Sequence, residues 1–362
     1  MLIGPTLGRY LSVRFLRMIF AVFGTVFALI YTLDFVELMR RAGDAPGASA
    51  SMMATLALFR TPSVAEQVLP FAILFGAMAA LLNLSRKLEL VVARAAGVSA
   101  WEFLQPGVFV AAAIGVVSIT AYNPLSAFLK QQASQMEARV FAKSQKFEPD
   151  KEQWLRQHSV DGQAIIRADQ VVENSTTLNR VTFFMFDQGG SFRERIEAKS
   201  ATLRDGFWEL SDARVIAPGE EPESFSSYML ASGLEPDQVR QSFTPPESVP
   251  FWQLPSVIER TQKAGLDATR YRLQWDVLVA RPLLFVAMVF VAASVSLRFF
   301  RFGGVAKMVL SGVVAGFMLY VATELMQDLG GSGLIGPAVA AWFPAVVGSL
   351  LGTLALLYQE DG

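Results

Sequence analysis

The sequence predicts an α-helical membrane protein: six transmembrane helices, three plus three, with a β domain, a sandwich or jelly roll, inserted between the two sets. Three observations predict this class. Of the 362 residues, 52% are hydrophobic and only 17% charged, whereas a soluble domain carries about 25% charged residues. The charge that exists is concentrated between Lys130 and Arg272, and both flanks hold long runs with almost none. Between those flanks the pattern changes to short segments rich in Val, Ile, Phe and Thr, separated by turn residues.

Crossing the hydrocarbon core as a helix takes about 20 apolar residues. Candidate spans are Phe15–Val36, Pro62–Leu84, Trp101–Tyr122, Val277–Phe299, Val305–Met326 and Leu334–Tyr358. The first follows Arg9, Arg14 and Arg17 but is too long for the apolar core of a signal peptide, and is read as retained. Thr61-Pro62 suggests a cap followed by proline at the first helical position. Ser99 and Glu102 have the spacing of a capping box that opens the third span. Pro70 and Pro282 fall inside spans and should bend them.

Basic residues in short loops set orientation. One side carries Arg9, Arg14, Arg17, Arg86, Lys87, Arg94, Arg298, Arg301 and Lys307; the other carries Arg40, Arg41 and Arg60. This places both termini in the cytoplasm and the inserted domain outside. The chain then divides into residues 1–125 (spans one to three, with a cytoplasmic loop helix at about 86–96), the β domain at 126–270 with flanking helical linkers, and spans four to six at 271–362.

Within the insert, Gln163–Val172, Leu178–Phe186, Phe192–Leu203 and Phe207–Ile216 read as strands. Asp161-Gly162, Asn174-Ser175, Gln188-Gly189-Gly190 and Asp205-Gly206 read as their turns. Leu254, Val257, Ile258 and Thr261 recur at helical spacing, so an amphipathic helix leads back to the membrane.

Several chemistries are excluded. A net charge of -1 without a basic cluster argues against nucleic acid. With no cysteine and one histidine, His158, there is no thiol chemistry and no usual zinc site; His158 reads as an exposed or edge-strand residue. No phosphate-binding loop, metalloprotease motif or nucleophile–histidine pair occurs. The chain reads as non-catalytic and without a cofactor, so any energised work draws on a partner or an ion gradient.

Three segments carry information about function. The loop Ser85–Ser99 can form about three turns, capped by Ser85 and ended by Gly97, with Leu88, Val91, Val92 and Ala95 on one face and Glu89 beside it. It suits either a helix lying among headgroups or one docking into a groove on a cytoplasmic protein. Arg40 and Arg41, at the outer end of the first span, suit phosphate oxygens or else snorkelling and pairing with Glu37 and Asp44. Glu66, Glu324 and Asp328 lie near membrane depth, where an acid is either solvated at the interface or part of a proton relay.

These segments, in this order and architecture, resemble the LptF/LptG permease family of the lipopolysaccharide export ABC transporter over nearly the whole chain. The resemblance rests on Asp34–Gly43, on Ser85-Arg86, Glu89–Val92 and Ala96-Gly97 of the loop, and on Arg270-Tyr271, Leu273 and Pro282-Leu283. The loop is nearer in wording to LptG than to LptF. The resemblance implies a heterodimer with an LptF-like paralogue, whose first and fifth spans line a cavity open to the outer leaflet. It implies an LptB-type cytoplasmic ATPase dimer that grips the loop helix, with Glu89 at that interface and Leu88, Leu90 and Val91 as packing contacts. It implies that Arg40 and Arg41 lie near lipid phosphates, and that a jelly roll passes lipopolysaccharide to a periplasmic bridge protein beside a single-span LptC-type subunit. Where relatives can carry a further basic residue this chain has Asp34, so the arginine pair carries over and a third cation does not. A membrane-anchored periplasmic sensor or assembly scaffold is the alternative; it accounts for the β domain but not for the loop or the six spans.

Overall fold

The computed structural model describes residues 4–43, 49–141, 153–159, 162–171, 177–187, 190–204, 206–232, 245–263, 267–300 and 304–360. Among the described residues, six helices are long and apolar enough to cross a membrane. In chain order the helices are α1 (Pro5–Ala42), α2 (Ala50–Arg86), the short α3 (Glu89–Ala95), α4 (Ala100–Val117), α5 (Asn123–Phe141), α6 (Leu254–Lys263), α7 (Thr269–Phe300), α8 (Val305–Gly331) and α9 (Pro337–Glu360). A π-helical turn, Ser118–Tyr122, joins α4 to α5. The strands β1 (Gln153–Ser159), β2 (Gly162–Val171), β3 (Thr177–Phe186), β4 (Phe192–Arg204), β5 (Phe207–Ile216) and β6 (Glu223–Ala231) lie between α5 and α6.

The chain forms two compact units: residues 1–140, 247–254 and 269–362, and residues 141–246 and 255–268. In the helical unit α1 packs on α2 and α4, while α7 packs on α2, α4, α8 and α9. Its core includes Phe15, Ile19, Ile73, Leu74, Phe103, Phe285 and Met288. Glycine sets two of the helix contacts. A Cβ on Gly76 would lie 2.5 Å from the Cα of Ile19, and one on Gly115 would lie 2.5 Å from the Cα of Pro282. With no side chain there, backbones approach closely, as small residues allow between membrane helices. The outgoing and returning ends of the insert run side by side within this unit. Asn123 Oδ1 accepts from the Phe251 N–H at 2.9 Å, Trp252 Nε1 donates to the Thr120 carbonyl at 3.1 Å, and Gln131 Nε2 donates to the Ser248 carbonyl at 2.9 Å.

The sequence placed the spans well and some of their ends badly. Ser99 does form the full reciprocal capping box with Glu102. Thr61 is not a cap: α2 begins eleven residues earlier, at Ala50, where Ser49 accepts from the Met52 N–H, and Pro62 lies inside the helix. The Thr61 hydroxyl instead donates to the Ala57 carbonyl. Ser85 is likewise no cap, being buried in the last turn of α2, whose hydrogen bonds continue to Lys87.

The inserted sheet is antiparallel with strands in the order β1-β2-β3-β4-β5-β6, a sequential meander. Four strands match the sequence reading; β1 and β6 are additional, and His158 lies on the outermost strand β1. The turn residues Asp161, Asn174, Ser175, Gln188, Gly189 and Asp205, together with Asp44 and Arg301, lie outside the described residues. Buried residues from β2 to β6 form one core around Trp208 and Phe183, whose rings meet edge-on at 6.0 Å although β4 lies between their strands. Curvature of the sheet lets one face bury itself in this way.

The in–out alternation breaks along one line across three strands. Buried positions run 178 then 181 in β3, 198 then 201 in β4, and 210 then 213 in β5. The residues that take up the offset are Arg180 (φ 50°), Lys199 and Asp212 (φ 51°), which the pairing registers place opposite one another. Left-handed backbone at Arg180 and Asp212 absorbs one residue of each strand, so the apolar face stays turned inward on both sides of the break. Because neighbouring strands carry the same offset, pairing survives it.

Candidate functional site

Two of the candidate segments lie at opposite ends of the helical unit. At one end is the loop between α2 and α4. Leu88 has a left-handed backbone, φ 61°, a conformation that costs a non-glycine residue of order 1–3 kcal/mol. It turns the chain out of α2 so that α3 begins at Glu89, and Gly97, at φ 83°, ends the segment as expected. The loop helix is therefore shorter than the sequence suggested, and Leu88 precedes it.

The side chains of this segment divide sharply. Leu90 is buried and belongs to the bundle core. Leu88, Val91 and Val92 are 60%, 44% and 66% exposed, an apolar surface left uncovered by the described residues. Glu89 is held from within. The Tyr10 hydroxyl donates to its carboxylate at 2.9 Å, and Arg14 pairs with it at 3.5 Å. Arg14 also donates to the Tyr10 oxygen at 2.7 Å and to Asn83 Oδ1 at 2.8 Å, and its guanidinium stands over the Tyr10 ring. Sequence reasoning missed Tyr10 and Asn83 and saw Arg14 only as a topological charge.

At the other end, α1 finishes with Arg40 and Arg41 in its last turn, where cations suit the helix dipole. Both bind Glu37: Arg40 through Nε at 2.9 Å and Nη2 at 2.8 Å, Arg41 through Nε at 2.9 Å. Of the partners foreseen for the pair, Glu37 is observed, and Asp44 lies outside the described residues. The arginines remain 75% and 50% exposed. Asp34 pairs across to α2, 3.5 Å from Arg60, which also reaches Glu137 at 3.7 Å.

Of the three acids near membrane depth, Glu66 is buried and Glu324 and Asp328 are exposed. Glu66 forms an ion pair with Arg281 of α7 and accepts a hydrogen bond from Asn123 Nδ2 at 2.9 Å. The π turn before Asn123 widens the helix at this point, and such turns recur at functional sites. A cavity of about 290 Å³ opens beside the pair, lined by Gln67, Tyr320 and Glu324 among others. The least covered spans are α1 and α8, with 6% and 17% of their most apolar windows buried, against 61% for α2.

Six apolar helices enclosing a polar junction, interrupted by an antiparallel β domain, define a multi-pass membrane protein with no catalytic constellation in its sequence. A family model described as lipopolysaccharide export system permease LptF/LptG matches residues 9–359. The chain belongs to that family. It is 24% identical to the lipopolysaccharide export system permease protein LptG of Haemophilus influenzae, over 97% of this chain and 96% of that one. It is 21% identical to the protein of the same name from Escherichia coli K12, over 95% and 94%.

Proposed function

We propose that this chain is the LptG-type permease subunit of an ATP-driven exporter in the bacterial inner membrane. It extracts lipopolysaccharide from the outer leaflet and passes it to a periplasmic bridge protein. Both termini are cytoplasmic on the charge rule, and the β domain is periplasmic. An LptF-like paralogue completes the permease and covers the faces that α1 and α8 leave open; an LptC-type subunit stands beside α1. Arg40 and Arg41 stand exposed at the outer end of α1, where guanidiniums suit lipid phosphates.

The observation that carries this reading is the exposed trio Leu88, Val91 and Val92 on a helix anchored by Leu90. An apolar knob on a short loop fits the groove of a partner better than it fits water. In this reading an LptB-type ATPase dimer grips that knob, and Glu89 stands at the edge of the contact. The test is copurification: Leu88→Asp with Val91→Asp should release the ATPase from a tagged complex while the chain still inserts in the membrane. Undiminished ATPase retention would overturn the assignment.

A further inference from the structure

The geometry points to Tyr10, Arg14 and Asn83 as positioning residues that join the loop helix to the first span, so that displacement of α3 by the ATPase moves α1. The inference rests on the function proposed above and deepens it. Four side chains from three helices make one directional chain of hydrogen bonds. Arg14 donates to Asn83 on α2 at 2.8 Å and to the Tyr10 oxygen at 2.7 and 3.1 Å, and Tyr10 donates onward to both oxygens of Glu89, at 2.9 and 3.1 Å. The Arg14–Glu89 pair at 3.5 Å closes the circuit. Each of these bonds runs from a donor to an acceptor, and the charged members strengthen them.

Packing alone does not need this arrangement. Leu90 already anchors α3 by burial, and Leu11 and Phe15 already bury the neighbouring part of α1. The network adds direction: the acid is tied to α1, 75 to 79 residues away in sequence. α1 is also the helix that ends in Arg40 and Arg41 and has the least cover of any span. α1 is one unbroken helix from Pro5 to Ala42, so a displacement of the turns that hold Tyr10 and Arg14 is carried toward Arg40 and Arg41. Arg14 and Glu89 are 19% and 31% exposed, so the pair is partly shielded yet within reach of a docked protein.

The experiment uses the complete exporter in proteoliposomes, with Tyr10→Phe, Asn83→Leu and Asn83→Asp variants. Tyr10→Phe keeps the ring under Arg14 and removes only the hydroxyl; Asn83→Asp keeps the acceptor. Two quantities are read: amide hydrogen exchange across Glu89–Ala95, and lipopolysaccharide released per ATP hydrolysed. Tyr10→Phe and Asn83→Leu should speed exchange and lower the release ratio about fivefold or more, the lower end of ordinary coupling between sites. ATPase retention should be unchanged, and Asn83→Asp should behave as wild type. Unchanged exchange, or faster exchange with an unchanged ratio, overturns the inference. A wild-type complex that retains ATPase but releases no lipopolysaccharide instead overturns the function on which it rests, and the inference with it.

Discussion

Replacing Arg281 by Met should destabilise the helical unit, and replacing Glu66 by Met as well should restore most of the loss. The two side chains are 14% and 9% exposed and face each other between α7 and α2. Removing one member of a buried pair leaves an uncompensated charge, which costs about 3–5 kcal/mol. In Arg281→Met the Glu66 carboxylate keeps one hydrogen bond, from Asn123 at 2.9 Å, so the lower end, about 3 kcal/mol, applies. Replacing both members by apolar groups of similar volume removes the desolvation penalty together with the attraction, and should bring stability to within about 1 kcal/mol of wild type. Unfolding in mixed micelles of graded denaturing detergent, followed by tryptophan fluorescence of both single variants and the double, gives the coupling directly. If the double variant is as unstable as the sum of the singles, the two residues act independently and the ion pair is not what holds α7 to α2.

Gly115→Val should lower the thermal unfolding midpoint in detergent, because its Cβ would meet the Pro282 backbone at 2.5 Å; overpacking of this kind costs about 1–3 kcal/mol. Trp208→Ala removes a fully buried side chain at the centre of the sheet's core and should cost about 3–5 kcal/mol, read as faster proteolysis within residues 153–231 of the intact chain. Ser99→Ala should cost about 1 kcal/mol and raise hydrogen exchange in the first turn of α4 while leaving α2 unchanged.

What the sequence made legible was whatever depends on composition or on near neighbours. Six spans followed from apolar length, and the Ser99 capping box from residues three apart. Thr61-Pro62 misled because a local start signal was outweighed by the apolar run Met52–Phe59 upstream, which carries α2 through the proline. The strands β2 to β5 were visible in their Val, Ile and Phe content, whereas β6 is almost wholly exposed and β1 reads Gln-Trp-Leu-Arg-Gln-His-Ser. The alternation of β4 shifts phase at Lys199, in line with Arg180 and Asp212. Sequence spacing cannot reveal that line, since it exists only once the strands are in register. The partners of Glu89 and Glu66 were hidden for the same reason: each is fixed by helices dozens of residues apart.

The hydrogen bonds that bring Thr120–Gln131 alongside Ser248–Trp252 have a bearing on how the protein is made. They tie together positions 117 residues apart, Gln131 and Ser248, so the bundle meets the long insert as it would meet a tight hairpin. A closed stem of this kind lets loop length vary at small entropic cost, since closure entropy grows only logarithmically with length. During synthesis, α1 to α5 are available long before their counterparts at 247–252 and Arg281 exist. Asn123 has a partner in the meantime, because it also bonds Glu66, which is already present on α2. The first half of the bundle can thus hold its polar junction together while the β domain is still being translated, and the second half arrives at a prepared seat.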